Sequence, residues 1–211
     1  MQPAIVLLEF DSIARGIAAG DAMAKRAPLA TLHAGTVHPG KYLVLAGGEV
    51  ADVQEAWAAG REAGGDSLLD QLFLPRIDGE VVAVLAAGRE AGGEAAAALW
   101  VEEALGVIET RTVAAVLGAA DAGVKGARVR LLEVRLADGL GGKGYLLFAG
   151  AVPDVEAAVA HGTASLAHPD LLVARVVIPQ LHGEMRANLA AHGEFGARVR
   201  TYRPASGEPT S

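Results

Sequence analysis

The chain has 211 residues, 52% of them hydrophobic, which is enough for two small domains or one larger one. Its formal net charge is −7 and its basic residues form no block, which argues against nucleic acid as a partner. It contains no cysteine, which excludes disulfides, cysteine-held zinc or iron–sulfur sites and a cysteine nucleophile. No stretch reaches the roughly 18 apolar residues of a membrane span and the N-terminus lacks a basic leader, so we expect neither membrane insertion nor export.

The first half of the chain alternates short apolar runs with alanine-rich segments of helical length. Asp11 or Ser12 can cap the first helix by accepting a hydrogen bond from a free amide of its first turn. A turn at His38-Pro39-Gly40 separates the second and third strands. The predicted elements of this half are strands at 5–10, 29–37, 41–46 and 68–74 and helices at 12–27, 51–63 and 79–87.

The second half of the chain repeats the first. Ile5–Glu9 is answered by Leu105–Glu109 at a spacing of 100 residues, and the turn before Lys41 returns before Lys143 at a spacing of 102. Matches in one order with a slowly drifting spacing indicate a copied domain, since solenoid repeats have much shorter periods. The predicted elements of this half are strands at 105–109, 129–136, 143–149 and 171–178 and helices at 112–126, 153–161 and 182–191.

Each half therefore has the order strand, helix, strand, strand, helix, strand and a last helix, which is the split βαβ or ferredoxin-like pattern. We predict an α/β (α+β) protein of two tandem ferredoxin-like domains. Small domains bury a limited share of their surface, so we expect the two to pack on each other and on other chains. The predicted organisation is domain 1 at 1–88, a connector at 89–104, domain 2 at 105–195 and a flexible tail at 196–211.

Several motifs that suggest catalysis have a simpler structural explanation. Gly35–Lys41 fits the spacing of a phosphate-binding loop, but Tyr42 follows instead of a hydroxyl residue and a strand instead of a helix, so a tight turn is expected. Glu9 and Glu109 end their strands in the same way, which indicates a shared structural bond rather than two active sites. No Ser-His-Asp set and no pair of carboxylates stands out, and we predict that the protein is not an enzyme.

The six histidines include no pair at a metal-binding spacing, but His38 lies in the turn before the third strand. If three chains met at this turn, three imidazoles and a water could ligate zinc or copper. Three neutral imidazoles would also give a rim that donates hydrogen bonds and passes polar or anionic metabolites. We expect no resident cofactor, and a divalent metal at His38 on a threefold axis stays a hypothesis beside the simpler one of a solvated turn histidine.

Two ordered sets of residues resemble the shell domain of bacterial microcompartments. They are Leu8-Glu9, Ser12–Gly16, Gly20–Lys25, Pro39-Gly40-Lys41 and Gly48-Glu49-Val50 in the first half, and Gly106–Thr110, Ala119–Asp121, Lys125 and Gly139–Lys143 in the second. The similarity runs from about residue 4 to 190. The chain resembles tandem-domain shell proteins with unpermuted strand order, most of all the propanediol-utilisation type.

This resemblance implies a homotrimer shaped as a pseudohexagonal tile with a central pore for small metabolites. Such tiles pack edge to edge into the shell of an organelle in the bacterial cytoplasm, and the enclosed enzymes are further partners. Lys25, Lys125 and Arg76 match residues that contact neighbouring tiles. The pore-lining residues that the resemblance implies are His38, Pro39, Gly40, Gly139, Leu140, Gly141 and Gly142.

The sequence departs from this family at two places. The propanediol-utilisation type has a cysteine at the position of His38, which holds an iron–sulfur cluster on the threefold axis. Without that cysteine we expect neither the cluster nor electron conduction. Ile77 and Asp78 depart from the Pro-Arg-Pro-His motif at the tile edge, and Gln180 replaces its arginine in domain 2, so we expect one type of edge to bind more weakly.

Two other functions stay open at the level of the sequence. A trimeric ferredoxin-like regulatory protein could bind a small ligand between its subunits, and the glycine-rich turns could belong to a phosphate-binding transferase. Sheets or hexagonal arrays in electron micrographs would favour the shell tile, whereas stabilisation by nucleotides would favour the other two.

Overall fold

The computed structural model describes residues 4–87 and 104–191. Domain 1 lies in the first of these ranges. Its elements are β1 (Ala4–Phe10), α1 (Ile13–Arg26), β2 (Thr31–Val37), β3 (Lys41–Gly48), α2 (Val50–Gly64), a 3₁₀ turn (Gly65–Ser67), β4 (Leu68–Leu74) and α3 (Gly79–Ala87). Ser12 caps α1, because its hydroxyl accepts a hydrogen bond from the Arg15 amide.

Domain 2 repeats this succession of elements. They are β5 (Ala104–Thr110), α4 (Val113–Gly126), β6 (Arg130–Leu136), β7 (Gly144–Gly150), α5 (Val152–Ala164), a 3₁₀ turn (Pro169–Leu171), β8 (Leu172–Ile178) and α6 (Gly183–Ala190). Thr112 caps α4 as Ser12 caps α1. The predicted connector, apart from Ala104, and the predicted tail lie outside the described residues, so the domain limits stay predictions.

Each domain contains one four-stranded antiparallel sheet, with the order β2-β3-β1-β4 in domain 1 and β6-β7-β5-β8 in domain 2. This is the strand order of a split βαβ fold, and it confirms the predicted fold class. The two sheets differ at one edge strand. The register between β6 and β7 shifts between Leu131 and Glu133, which leaves Leu132 as an extra residue, whereas β2 pairs with β3 without a shift.

The two longer helices of domain 1 cover one face of its sheet. Because side chains alternate along a strand, β1 presents Val6, Leu8 and Phe10 to this face, where all three are buried. Glycines let the helix approach closely. A Cβ added at Gly60 would lie 2.6 Å from Leu8 Cδ1, and one added at Gly64 would lie 2.2 Å from Phe10 Cε1.

The opposite face of the domain 1 sheet packs against domain 2. The buried core there crosses the domain boundary, since Ile5, Leu7 and Ile77 belong to the same cluster as Val113 and Leu117 of α4. The two domains therefore share apolar surface, as their size led us to expect. None of the described helices is long and apolar enough to cross a membrane.

Candidate functional site

The predicted pore-lining residues lie in two turns at the same end of the molecule. His38 to Gly40 join β2 to β3, and Ala137 to Lys143 join β6 to β7. The Gly40 amide closes the first turn by donating to the Val37 carbonyl at 2.9 Å. Gly40 and Gly142 have φ of +101° and +82°, a backbone region that suits glycine. A strand follows each turn, so neither has the helix that a phosphate-binding loop requires, as predicted.

The structure brings the two turns side by side. The Nζ of Lys41 lies 3.4 Å from the carbonyl oxygen of Gly142, and a Cβ added at Gly142 would lie 2.9 Å from Pro39 Cδ. The Nδ1 of His38 lies 3.9 Å from the Oδ1 of Asp138, and both side chains are exposed. The predicted pore residues of both domains therefore share one surface. Their role in a pore stays a prediction.

A buried carboxylate links this surface to the boundary between the domains. Glu9 is fully buried, and its Oε1 accepts a hydrogen bond from Lys41 Nζ at 2.6 Å. Its Oε2 accepts one from the Val113 amide, at the first turn of α4, at 2.8 Å. A carboxylate at a helix N-terminus satisfies a free amide and interacts favourably with the helix dipole. One side chain of domain 1 thus holds the Lys41 ammonium and caps a helix of domain 2.

The equivalent pair in domain 2 has the same geometry but faces solvent. Lys143 Nζ donates to Glu109 Oε1 at 2.5 Å. The Glu109 side chain is 30% exposed, whereas that of Glu9 is 0% exposed, because no second domain covers it in the described part of the chain. The predicted structural bond of the two glutamates is confirmed.

A second polar group lies at the boundary between the domains. Asp121 accepts a hydrogen bond from the Asp78 amide at 2.8 Å and one from Lys125 Nζ at 2.6 Å. Lys125 also donates to the backbone carbonyl of Arg76 at 2.5 Å. Of the three predicted edge residues, the structure thus brings Lys125 and Arg76 together within one chain. The contact of Lys125 with another tile stays a prediction.

Lys25, the third predicted edge residue, is on the outer side of α1. Its Nζ lies 2.6 Å from Asp21 Oδ2 and both side chains are well exposed. This pair is the counterpart of Lys125 and Asp121. Among the described residues, no backbone carbonyl accepts from Lys25 as that of Arg76 accepts from Lys125.

Within residues 4–87 and 104–191, no group of three or more His, Cys, Asp or Glu side chains is placed to hold a metal. The Asp138 carboxylate lies 3.9 Å from the His38 ring. The hypothesis of a metal at His38 requires three chains on one axis and stays a prediction.

Sequence reasoning missed one residue at the predicted rim and two contacts between the domains. Asp138 was not assigned to the pore rim, although it stands between Ala137 and the predicted Gly139 and could have been included on position alone. The hydroxyl of Thr112 donates to Asp70, a residue 42 positions earlier. Glu80 accepts a hydrogen bond from the Leu131 amide at 2.6 Å. The last two join separate domains, and no local pattern signals them.

Comparison with known proteins gives a consistent result. The model of the BMC domain family matches the chain twice, at residues 4–77 and 104–181. The bacterial microcompartment shell protein PduT of Citrobacter freundii is 42% identical over 185 residues, which are 88% of this chain and 96% of PduT. The shell protein EutM of Salmonella typhimurium is 41% identical over 83 residues, which are 39% of this chain and 84% of EutM.

Solved structures agree with these matches. The crystal structure of a microcompartments protein from Desulfitobacterium hafniense DCB has a TM-score of 0.72 and 39% sequence identity, and it covers 88% of this chain and 99% of its own. The fused permuted hexameric shell protein MSM0275 has a TM-score of 0.54 at 19% identity, over 80% of this chain and 83% of its own, and at that identity it supports the fold alone.

Proposed function

Because the chain belongs to the BMC domain family, we propose that it forms the shell of a bacterial microcompartment as a homotrimer, whose six BMC domains surround a central pore. The chain is a structural shell protein and not an enzyme, as its relatives are shell proteins over most of its length. The comparisons give no support to a ligand-binding regulatory protein or to a transferase.

The main support for the trimer is a difference in exposure between the equivalent helices α1 and α4. Val113 and Leu117 of α4 are 0% and 1% exposed, because they pack against domain 1. Their counterparts in α1, Ile13 and Ile17, are 41% and 54% exposed. We call the contact between α4 and domain 1 the closed seam. A trimer would repeat the closed seam between α1 of one subunit and domain 2 of the next.

Burial of Ile13 and Ile17 at the repeated seam would be a substantial driving force. Covering an apolar side chain of this size contributes about 1.5–3 kcal/mol relative to leaving it in water. Val176 of β8 is 47% exposed, while its counterpart Leu72 in β4 is partly covered by α4. The same repeat of the seam would cover Val176. A ring of six domains closes after three chains, which is a closed cyclic symmetry.

The polar groups support the same arrangement. Repeating the closed seam places the Glu109 carboxylate at the amide of Ile13 of the partner subunit, as Glu9 lies at Val113. It places Lys143 near the carbonyl of Gly40 of the partner subunit, as Lys41 lies near Gly142. Glu109 and Lys143 would then find the partners that Glu9 and Lys41 have within one chain.

In such a ring the two kinds of turn alternate around the axis, with His38 to Gly40 next to Gly139 to Gly142. Each chain adds one exposed carboxylate, Asp138, to the rim, while Lys41 is neutralised by Glu9. The rim then carries negative charge at neutral pH. A narrow opening lined by one sign of charge favours solutes of the other sign or of none. We therefore propose passage of neutral or cationic small metabolites, and Asp138 replaces the expectation of anionic ones that rested on His38 alone.

Three basic residues lie at the outer surface of the proposed tile. Lys25, Lys125 and Arg76 lie where α1, α4 and the chain after β4 reach the outer surface, and we assign them to contacts with other tiles. The apolar stem of a lysine can lie along a neighbouring surface while its ammonium group finds carbonyl oxygens. The assembled shell would stand in the bacterial cytoplasm around enclosed enzymes.

The experiment that tests the trimer compares two sets of exposed apolar residues. The Ile13→Ser/Ile17→Ser variant should keep the circular dichroism of the parent, since both side chains are exposed within one chain. Light scattering should show that it is smaller than the trimeric parent, and electron microscopy should show no sheets. Leu69→Ser is the matched control, because Leu69 is 46% exposed and lies outside the closed seam. Equal assembly of all three proteins would contradict the proposal.

A further inference from the structure

Domain 1 contains an apolar cavity that the shell role does not use. It has a volume of about 580 Å³ and lies between α3 and the ends of β2 and β3. Its lining is mostly apolar and includes Ile5, Leu45, Ile77 and Leu85. The polar side chains of Thr31 and His33 also line it. We call this space the domain 1 cavity.

The matching residues of domain 2 are more deeply covered, since Leu147 is 4% exposed whereas Leu45 is half-buried. The residues that match Ile5, Leu45, Ile77 and Leu85 are all apolar and belong to one packed cluster. They are Leu105, Leu147, Leu181 and Leu189. Leu132, the extra residue of β6, packs against this cluster. β2 pairs with β3 without a register shift and has no counterpart of Leu132.

Two further differences enlarge the space in domain 1. Gly47 stands where domain 2 has Ala149, and a Cβ added at Gly47 would lie 2.8 Å from Thr31 Oγ1. Ala30, which lines the cavity, stands where domain 2 has Val129. All three differences between the copies remove side-chain atoms from one place. Unfilled apolar volume is destabilising, so packing alone does not explain why domain 1 has smaller or missing side chains at three neighbouring positions.

We propose that the domain 1 cavity binds an uncharged small molecule with an apolar body and one hydroxyl or carbonyl group. None of the described residues that line it is a lysine, arginine, aspartate or glutamate, so a charged ligand would lose its hydration without a partner among them. Thr31 and His33 can both donate and accept hydrogen bonds, which suits one polar group on an otherwise apolar ligand. Small-molecule sites commonly combine such a volume with few polar groups. The site lies within one chain, so it does not depend on the trimer.

The test is a titration of the full chain with benzyl alcohol, followed by amide chemical shifts. We expect saturable binding of one molecule per chain, with shifts at Thr31, His33 and Gly47. Toluene, which lacks the hydroxyl group, should bind more weakly, and benzylammonium should not bind. The Ala30→Val/Gly47→Ala variant gives domain 1 the side chains of domain 2 and should weaken binding at least tenfold. Ala30→Val alone serves if the double variant does not fold.

The matched variant in domain 2 is Val129→Ala/Leu132→Ala/Ala149→Gly. It removes all three sets of side-chain atoms that domain 1 lacks and should raise the number of bound benzyl alcohol molecules from one to two per chain. Absence of saturable binding to the folded parent would overturn the proposal. So would unchanged affinity in the filled variants, because the ligand would then occupy another place.

Discussion

Removing the charge of Glu9 should destabilise the protein far more than removing the charge of an exposed glutamate. In Glu9→Gln the amide oxygen can still accept from Val113, but Lys41 loses its anionic partner. The Lys41 side chain is only 18% exposed, so water replaces that partner poorly. Breaking a buried ion pair by removing one partner costs about 3–5 kcal/mol. We expect the lower end, about 3 kcal/mol, because Lys41 keeps its contact with the Gly142 carbonyl at 3.4 Å.

The chain offers an exposed ion pair with the same N–O distance as a control. Glu55 accepts from Arg26 at 2.6 Å, the same distance that joins Glu9 to Lys41, but both side chains of that pair are more than half exposed. Exposed pairs contribute about 1 kcal/mol or less, so Glu55→Gln should change stability little. The Glu9→Gln/Lys41→Met variant should recover part of the loss, since it leaves no unpaired buried charge.

The assay is urea unfolding followed by circular dichroism, at one fixed protein concentration because association changes apparent stability. A loss of about 3 kcal/mol is a large share of the roughly 5–15 kcal/mol that stabilises a typical domain, so the midpoint should shift clearly. If Glu9→Gln and Glu55→Gln differ by less than about 1 kcal/mol, the burial of Glu9 is not what makes its ion pair important.

Three further predictions concern alkaline stability, assembly and metal binding. Burial, together with the neighbouring Glu133 carboxylate, raises the pKa of Tyr145 from 10.0 to about 12. The contribution of this shift to the unfolding free energy is therefore fully present below pH 10 and is lost as the pH rises towards 12. Tyr145→Phe should flatten the fall of the unfolding free energy over that range. Lys25→Ala/Lys125→Ala should leave the trimer intact in light scattering but impair sheets in electron micrographs, and sheets equal to those of the parent would make both ordinary surface lysines. If three His38 side chains hold zinc or copper, the untagged parent should contain metal that His38→Ala lacks, and equal contents would remove the metal hypothesis.

The secondary structure could be predicted because its signals are local. The caps Ser12 and Thr112 precede their helices, and apolar runs mark the strands. The same order of elements could be predicted independently in each half of the chain. The antiparallel sheets followed from the order of the elements, since a split βαβ succession has few compact arrangements.

The contacts between the domains could not be predicted from the same signals. Glu9 caps a helix 104 residues later, and Glu80 reaches an amide 51 residues later. Such contacts depend on the angle at which the domains pack, which periodicity does not encode. The extra residue Leu132 was also missed, although the spacing of the repeats changes in this part of the chain. Leu132 is one of the three differences that distinguish the apolar cluster of domain 2 from the domain 1 cavity.

The most direct test of the trimer uses the absence of cysteine in the chain. At the closed seam a Cβ added at Gly118 would lie 3.2 Å from Leu72 Cδ1, so these positions are neighbours within one chain. Their counterparts, Ala18 and Val176, would be neighbours only between subunits. Ala18→Cys/Val176→Cys, treated with a short bis-maleimide, should therefore give a covalent product of three chains on a denaturing gel.

The matched control is Leu72→Cys/Gly118→Cys, which should be crosslinked within the chain and migrate at its 21.5 kDa mass. We predict a ladder that stops at three chains for the first variant and a single band for the second. Single-chain bands alone for the Ala18→Cys/Val176→Cys variant, at concentrations where the control reacts completely, would contradict the trimer. A ladder that continues beyond three chains would contradict the closed ring.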